Sequence, residues 1–169
     1  MLITLVGYLR SIIISRQEKQ KNYQIKYKLR KYIFLGAENI YDFFNPAKYG
    51  LEPEEIATDC WKGFRCDFSI RNNNIYLDNL KINGKSDEYP DINGVKVGKV
   101  NYEGYHVYKK LNLKLIYSGK VIIGTELKKR FIGRAFLNPG DYKKIIELSF
   151  QNGEIIGIKD ITDTFEEGF

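Results

Sequence analysis

The dipeptide Asn152-Gly153 constrains the fold of this chain more than any other local feature. It separates two runs of residues, 142–150 and 154–161, that are rich in isoleucine and other large apolar side chains. Asn-Gly favours a two-residue hairpin turn because both residues readily adopt the positive φ that such a turn needs. The sequence therefore predicts an antiparallel hairpin near residues 142–161.

A second hairpin is predicted from the segment that begins at Phe64. Apolar and polar residues alternate from Phe64 to Ile70, and three asparagines at 72–74 precede another apolar run that begins at Ile75. Alternation with period two is typical of a strand with one buried face, and asparagine tolerates the left-handed conformation of tight turns. The pattern predicts a hairpin near residues 64–83.

Other segments carry weaker signals. Alternation predicts strands over residues 23–34 and 102–115, the second with a change of register. Short helices are predicted over residues 125–132 and in the segment that starts near Pro53. Strands outnumber helices, so the predicted class is α+β: a β-rich, mainly antiparallel sheet with one or two short helices. The sequence pattern does not determine whether the sheet closes.

The size and composition indicate one globular domain over residues 1–169. Apolar residues make up 43% of the chain, far from the composition of disordered proteins. A domain of this size buries roughly 70% of the surface that its unfolded chain exposes, so it can build a core without metal ions or disulfides.

Positive charge is concentrated at the start of the chain. The net charge is +6, yet residues 1–35 alone carry +7, because eight Lys or Arg residues stand against the single acid Glu18. The rest of the chain carries −1. Any surface that binds anions is therefore expected to be confined to one part of the protein.

This basic segment supplies the main candidate site. In residues 23–30, cations alternate with apolar residues, which predicts a strand with one cationic and one apolar face. A second basic cluster follows near residue 130. The predicted ligand- or partner-binding residues are Tyr23, Lys26, Tyr27, Lys28, Arg30, Lys128, Lys129, Arg130 and Arg134. The alternative is a solvated strand whose lysines discourage edge-to-edge aggregation.

The cysteines and the one histidine do not match a metal site. Cys60 and Cys66 are six residues apart, which fits neither C-x-x-C nor the paired spacings of zinc sites, and His106 stands alone. We expect no metal and no cofactor. Both thiols are predicted to lie on the apolar face of the strand that contains Phe64, which fits a reducing cytoplasm.

No membrane association is expected. Residues 1–14 are mostly apolar but shorter than the roughly 20 residues that a spanning helix needs. The segment also has Arg10 inside the apolar run and no small-residue cleavage site, so it does not fit a signal peptide. We expect it to be a core element of a cytoplasmic protein.

Catalytic motifs are not found. His106 is the one side chain able to act as a general base near neutral pH without a shifted pKa, but Ser118 and Asp141 stand in no motif that would place them beside it. Gly119-Lys120 lacks the other residues of a phosphate-binding loop. No catalytic residue is predicted, and a hydrolase or nuclease that uses His106 is the least favoured function.

One group of proteins is similar to this chain in its motifs. Cys60-Trp61-Lys62-Gly63-Phe64 resembles the C-W-R-G-[YF] corner of a group of uncharacterised bacterial proteins. Residues 113–124 resemble that group's I-P-Y-S-G-K-I-L-I-G segment, and the likeness covers roughly the chain from Tyr32 onward. It implies a shared fold but no activity. The corner residues Cys60, Trp61, Gly63 and Phe64 are themselves predicted to be structural, because they lead into an amphipathic strand. Lys62 departs from the usual Arg, and residues 131–136 lack a histidine that the group has.

These observations favour a non-catalytic binding protein of bacterial or phage origin that acts on a protein partner, as an immunity, inhibitor or anti-defence protein would. The alternative is a binder of an anionic ligand, such as a nucleotide signal, RNA or DNA, with Tyr23, Tyr27 or Tyr32 stacking on bases. Thirteen tyrosines and ten phenylalanines also suggest a homo-oligomer formed through a sheet edge or an aromatic face.

Overall fold

The computed structural model describes residues 23–54, 62–84, 88–128 and 138–165, and this part of the protein is rich in strands. The strands are β1 (Gln24–Tyr27), β2 (Arg30–Ala37), β3 (Phe64–Arg71), β4 (Asn74–Ile82), β5 (His106–Tyr108), β6 (Leu113–Lys114), β7 (Gly119–Leu127), β8 (Tyr142–Gln151) and β9 (Glu154–Asp160). Within these ranges, the helical elements are α1 (Ile40–Phe43) and three short 3-10 turns, Pro46–Tyr49, Pro139–Asp141 and Thr162–Phe165.

The strands form one mixed sheet that closes on itself. Their order is β3-β1-β2-β7-β8-β9-β4-β5, with β6 also on β4, and β3 pairs with β4 as well, which closes the path. The pair β1–β3 is parallel, and the other strand pairs are antiparallel. The shortest strand pairing is β9–β4, which consists of the single residue pair Asn74–Glu154.

The main core lies on the inner face of this closed sheet. Alternate residues of the strands point inward and are fully buried, among them Ile25, Ile75, Leu77, Ile123 and Leu148. The ring of Phe43, from α1, packs into the same space, with ring centres 4.9 Å from Phe68 and 5.1 Å from Tyr117. Burial of these apolar side chains is the main force that stabilises the fold.

A smaller apolar cluster lies on the opposite face of β7 and β8. It contains Ile122, Tyr142, Ile145 and Ile161. A side chain at Gly124 would crowd this cluster, because its Cβ would stand 2.8 Å from Leu35 Cδ1 and 3.0 Å from Tyr142 Cγ. The sheet is therefore covered on both faces here, which explains why residues 121–123 are all buried and do not alternate.

Both predicted hairpins are present. β3 and β4 pair along their length around a turn in which Asn72 and Asn73 have positive φ. β8 and β9 pair around Asn152 and Gly153, which also have positive φ. Gly153 has a second role, since a Cβ there would stand 2.0 Å from the carbonyl oxygen of Leu115.

The helix predicted over residues 125–132 is wrong where the structure describes it. β7 continues to Leu127, because Thr125 pairs with Lys144 and Leu127 with Tyr142 across the antiparallel ladder. Pairing with β8 overrides the local preference. The helix predicted to start near Pro53 falls largely on residues 55–61, outside the described residues. Within the described ranges, α1 is the one α-helical element, so the class α+β stays a prediction.

Two predicted strands are also corrected. Residues 23–34 do not form one strand, because the chain reverses at Lys28 and Leu29 and β1 pairs with β2. Residues 102–115 form only the short strands β5 and β6. Before β5 the backbone turns back on itself, since the side-chain oxygen of Asn101 accepts hydrogen bonds from the backbone N–H groups of Glu103 (3.0 Å) and Tyr105 (2.9 Å).

The start of β3 depends on a close backbone approach at Gly63. Gly63 has a φ of 67°, and a Cβ at this position would stand 2.1 Å from the carbonyl oxygen of Glu54. Asn83 joins both segments: its N–H donates to the Gly63 carbonyl at 2.8 Å, and its carbonyl accepts from the Glu54 N–H at 2.8 Å. Phe64 follows and is buried, as is Cys66. Cys60 and Trp61 lie outside the described residues.

No helix among the described residues is both long enough and apolar enough to cross a bilayer.

Candidate functional site

Strand pairing brings cations from three parts of the sequence to one end of the sheet. Lys26 of β1 lies directly opposite Lys31 of β2. β2 in turn contacts β7, where the Thr125 hydroxyl donates to the Lys31 carbonyl at 3.2 Å, and Thr125 pairs with Lys144 of β8. We call this set the basic rim. It consists of Lys26, Lys28, Arg30, Lys31, Lys128, Lys143 and Lys144.

Glu126 and Asp160 are two of the carboxylates that lie beside these seven cations. Glu126 lies between Arg30 (Oε1 to Nη1, 3.7 Å) and Lys143 (Oε2 to Nζ, 3.6 Å). All three side chains are more than half exposed, so solvent screens these ion pairs and they add little stability. Hydrogen bonds from Thr162, and to a smaller extent the charge of Lys144, lower the pKa of Asp160. The rim keeps an excess of positive charge.

The backbone in and beside the rim is strained at Lys28, Leu29 and Glu126. Lys28 and Leu29 form the two-residue turn between β1 and β2 with φ of 47° and 62°, and Glu126 has φ of 57° inside β7. Each side chain in this left-handed region costs about 1–2 kcal/mol. Strain of this kind concentrates at functional sites, where the surrounding structure holds it in place.

Leu29 is the apex of the rim and is 94% exposed. The neighbouring Lys28 side chain folds back, with its Nζ 5.3 Å from the centre of the Tyr27 ring. The apex therefore presents a large apolar side chain to solvent with cations on both sides. The alternating pattern predicts Leu29 on the apolar face of a strand, and the structure corrects this because Leu29 lies in the turn.

The predicted site residues divide into three groups. The structure brings together Lys26, Lys28, Arg30 and Lys128 at the basic rim, where the Lys128 Nζ donates to the Gly140 carbonyl at 2.8 Å. The residues Lys129, Arg130 and Arg134 lie outside the described residues. The third group is the tyrosines, which face the interior.

The tyrosines cannot stack on a ligand at the rim. Tyr27 and Tyr32 are buried, at 6% and 5% exposure. Tyr23 packs among core aromatics, with its ring centre 5.9 Å from that of Phe34 and 6.0 Å from that of Phe68. These rings alternate with the exposed cations and point inward, because neighbouring residues of a strand face opposite sides.

The predicted site residues do not include Lys31 of the rim or Glu126, which contacts Arg30 and Lys143. They also do not include the rim lysines Lys143 and Lys144. The two lysines directly follow Tyr142 at the start of β8, and a basic pair beside a strand end is the only local signal. Their place beside Arg30 depends on the pairing of β2 with β7 and of β7 with β8, which joins residues far apart in the chain.

A second charged surface crosses the outer face of the sheet. Direct cross-strand pairs connect, in order, Lys31, Lys26, Ser69, Tyr76 and Lys114. We call these five residues the lysine row. The guanidinium of Arg71 lies 4.3 Å from the centre of the Tyr76 ring. Ser69 is buried, and its hydroxyl oxygen has no hydrogen-bond partner among the described residues.

His106 lies away from the rim, in β5. It pairs with Ile82, and its ring centre is 4.4 Å from that of Tyr89. Its Nδ1 is buried and has no hydrogen-bond partner in the described part of the chain. A general base needs an orienting partner and access to the proton that it removes. No such orienting partner for His106 is found among the described residues.

The other residues of a conceivable triad are engaged elsewhere. Ser118 Oγ accepts a hydrogen bond from the Asn152 N–H at 2.9 Å, in the region of the β8–β9 turn. Asp141 Oδ2 accepts from the Asn138 N–H at 2.7 Å, in the turn before β8. Each therefore stabilises a local turn. Across the described ranges, no three His, Cys, Asp or Glu side chains group closely enough to hold a metal ion.

Comparison of the chain with protein-family models, curated proteins and solved structures found no match to any of them. The resemblance carried by residues 60–64 and 113–124 stays a prediction.

Proposed function

We propose that this protein is a non-catalytic binding protein of bacterial or phage origin, active in the cytoplasm, whose basic rim occupies an acidic surface of a protein partner. An immunity, inhibitor or anti-defence protein acts in this way. The observation that supports the proposal is the convergence of seven cations from three chain segments on one end of the sheet, with Leu29 at its apex.

The arrangement exceeds what protection against aggregation requires. A single lysine on an exposed strand edge already discourages edge-to-edge pairing. Here Lys26 and Lys31 stand directly opposite each other, an arrangement that destabilises the fold slightly. Cations held together against their mutual repulsion serve binding better than they serve folding, because a local positive field steers an acidic partner and raises its association rate.

Charge reversal on the rim tests the proposal. The double substitution Lys26→Glu plus Lys28→Glu is expected to abolish capture of the partner from a lysate of the protein's own host. The fold should persist, because both side chains are exposed and Lys26→Glu replaces a like-charge pair with an attractive one opposite Lys31. Pull-down followed by mass spectrometry measures capture, and circular dichroism checks the fold.

Lys96→Glu plus Lys99→Glu is the matched control. Both lysines are exposed, lie outside the basic rim and give the same change of net charge. This control is expected to capture the partner as the unaltered protein does. Equal capture by the rim variant and the unaltered protein would show that the basic rim does not bind the partner.

The lysine row favours a second candidate, a ligand that carries phosphates. Lys31, Lys26 and Lys114 lie along one line of the sheet and are exposed, so they offer cations for a phosphate backbone. Lys114→Glu separates the two candidates, because Lys114 belongs to the row and not to the rim. It should weaken binding to a single-stranded oligonucleotide, and that binding should fall steeply with salt, whereas protein capture should not change.

A further inference from the structure

We propose that Leu29 is the anchor of the interface, and that its side chain enters an apolar pocket on the partner protein that is ringed by Asp or Glu residues. This inference rests on the proposed function, and it adds the chemistry of the partner's surface. It follows from the conformation of the turn, the exposure of its apex and the charges around it.

The turn between β1 and β2 would be more stable with another residue at position 29. Tyr27 pairs with Arg30, which leaves Lys28 and Leu29 as a two-residue turn with both φ values positive, the type I′ geometry. Asn-Gly suits this turn best, and glycine has no side chain to oppose a positive φ. Leucine at the second position works against the turn, so its presence is not explained by the local fold.

Packing inside the protein does not explain Leu29 either. It is 94% exposed, whereas Ile25 and Tyr27 on the same hairpin are buried. An apolar side chain that is exposed in the free protein gains free energy when a partner removes it from water. Residues that dominate binding are commonly central, fully desolvated side chains with a polar surround that excludes water.

The surrounding charges define what the partner presents. Lys26, Lys28, Arg30 and Lys31 lie next to the apex within the same hairpin, and Lys143 is close through its contact with Glu126. An apolar pocket bordered by carboxylates matches both the apex and this ring of cations. A pocket bordered by cations would be repelled, so the charge pattern also provides specificity.

The test uses a phage-displayed library of random peptides selected on the unaltered protein. We expect enriched peptides that combine large apolar residues with neighbouring Asp or Glu. Leu29→Gly is expected to bind the synthesised peptides about ten- to hundred-fold more weakly, the loss that corresponds to burying one leucine. The same variant should raise the thermal midpoint of unfolding by about 2 to 4 °C, because it relieves the turn.

A variant that binds worse while folding better excludes misfolding as the cause of the lost affinity. Leu29→Met keeps a large apolar side chain at the apex and is expected to retain most of the affinity. Isothermal titration calorimetry measures both variants against the same peptides, and Lys28→Glu is measured in parallel to report on the charged surround.

The outcomes test the role of Leu29 and the proposed function separately. Unchanged affinity in Leu29→Gly, together with a loss in Lys28→Glu, overturns the anchor and leaves the rim as the binding surface. Enriched peptides without acidic residues, or no enrichment at all, overturn the acidic pocket. Leu29-dependent binding to vesicles that contain phosphatidylserine, without enriched peptides, overturns the protein partner and assigns a membrane surface.

Discussion

Replacing Gly63 by alanine is expected to destabilise the protein by about 3 to 4 kcal/mol. The backbone at Gly63 has φ of 67°, where a side chain costs about 1–2 kcal/mol. The new Cβ would also stand 2.1 Å from the carbonyl oxygen of Glu54, and backbone cannot swing aside as a flexible side chain can. Relief of this contact would separate the two segments that Asn83 joins by hydrogen bonds.

Gly94→Ala is the matched control for Gly63→Ala. Gly94 has a similar φ of 74°, yet a Cβ there meets no atom within 4 Å. Gly94→Ala is expected to cost only the free energy of placing a side chain in this backbone conformation, about 1–2 kcal/mol. Urea unfolding of the two variants measures the difference between them, which isolates the contact with Glu54. Equal destabilisation of both variants would show that this contact does not hold the start of β3.

Alkaline conditions are expected to unfold the protein through two buried tyrosines. Burial, with a smaller contribution from the charges of Tyr89 and Asp91, raises the pKa of Tyr108 to about 12. Burial, assisted by the charges of Glu38 and Asp42, raises the pKa of Tyr117 further. The Tyr108 hydroxyl donates to the Pro90 carbonyl at 2.7 Å, so removal of its proton would break a hydrogen bond of the folded state.

The pH window follows from the direction of these shifts. Below pH 10, both the folded and the unfolded protein keep the phenolic protons, and stability is unaffected. Above pH 10, the unfolded chain releases them while the folded protein still holds them. The free energy of unfolding should then fall by roughly 1 to 1.5 kcal/mol per pH unit for each tyrosine, and for Tyr108 the fall should end near pH 12.

Tyr108→Phe separates this titration from general alkaline damage. At neutral pH the variant loses the hydrogen bond to Pro90, at a cost of about 1 kcal/mol. Between pH 10 and 12, its free energy of unfolding should fall less steeply than that of the unaltered protein, because Tyr108 no longer titrates while Tyr117 still does. Urea unfolding at a series of pH values measures the slope, and identical slopes would contradict the assignment to Tyr108.

Local signals were sufficient for the β3–β4 and β8–β9 hairpins. Asn72, Asn73, Asn152 and Gly153 adopt the positive φ that their residue types favour, and each turn is flanked by apolar runs that pair as strands. The turn at Lys28 and Leu29 could not be found in the same way. Neither residue favours positive φ, so β1 and β2 form a hairpin only because both strands are also held by β3 and β7.

The candidate site was predictable in part. Lys26, Lys28 and Arg30 are recognisable because they recur with the period of a strand. Lys143 and Glu126 are not, because charged residues in exposed parts of strands are common and no local pattern connects them with Arg30. The inward direction of Tyr27 and Tyr32 follows from the alternation that exposes the cations, but their stacking role could be judged only once the burial of each ring was known.

The sequence by itself determined the strand-rich character, two hairpins and the concentration of positive charge in residues 1–35. Hydrophobic period, turn residues and charge are local properties. Only the tertiary structure decided that the sheet closes, that residues 125–127 extend β7, and that cations from three segments meet around an exposed Leu29. These features depend on pairing between distant strands, whose free energy comes from burying the shared core and outweighs the preferences of any short segment.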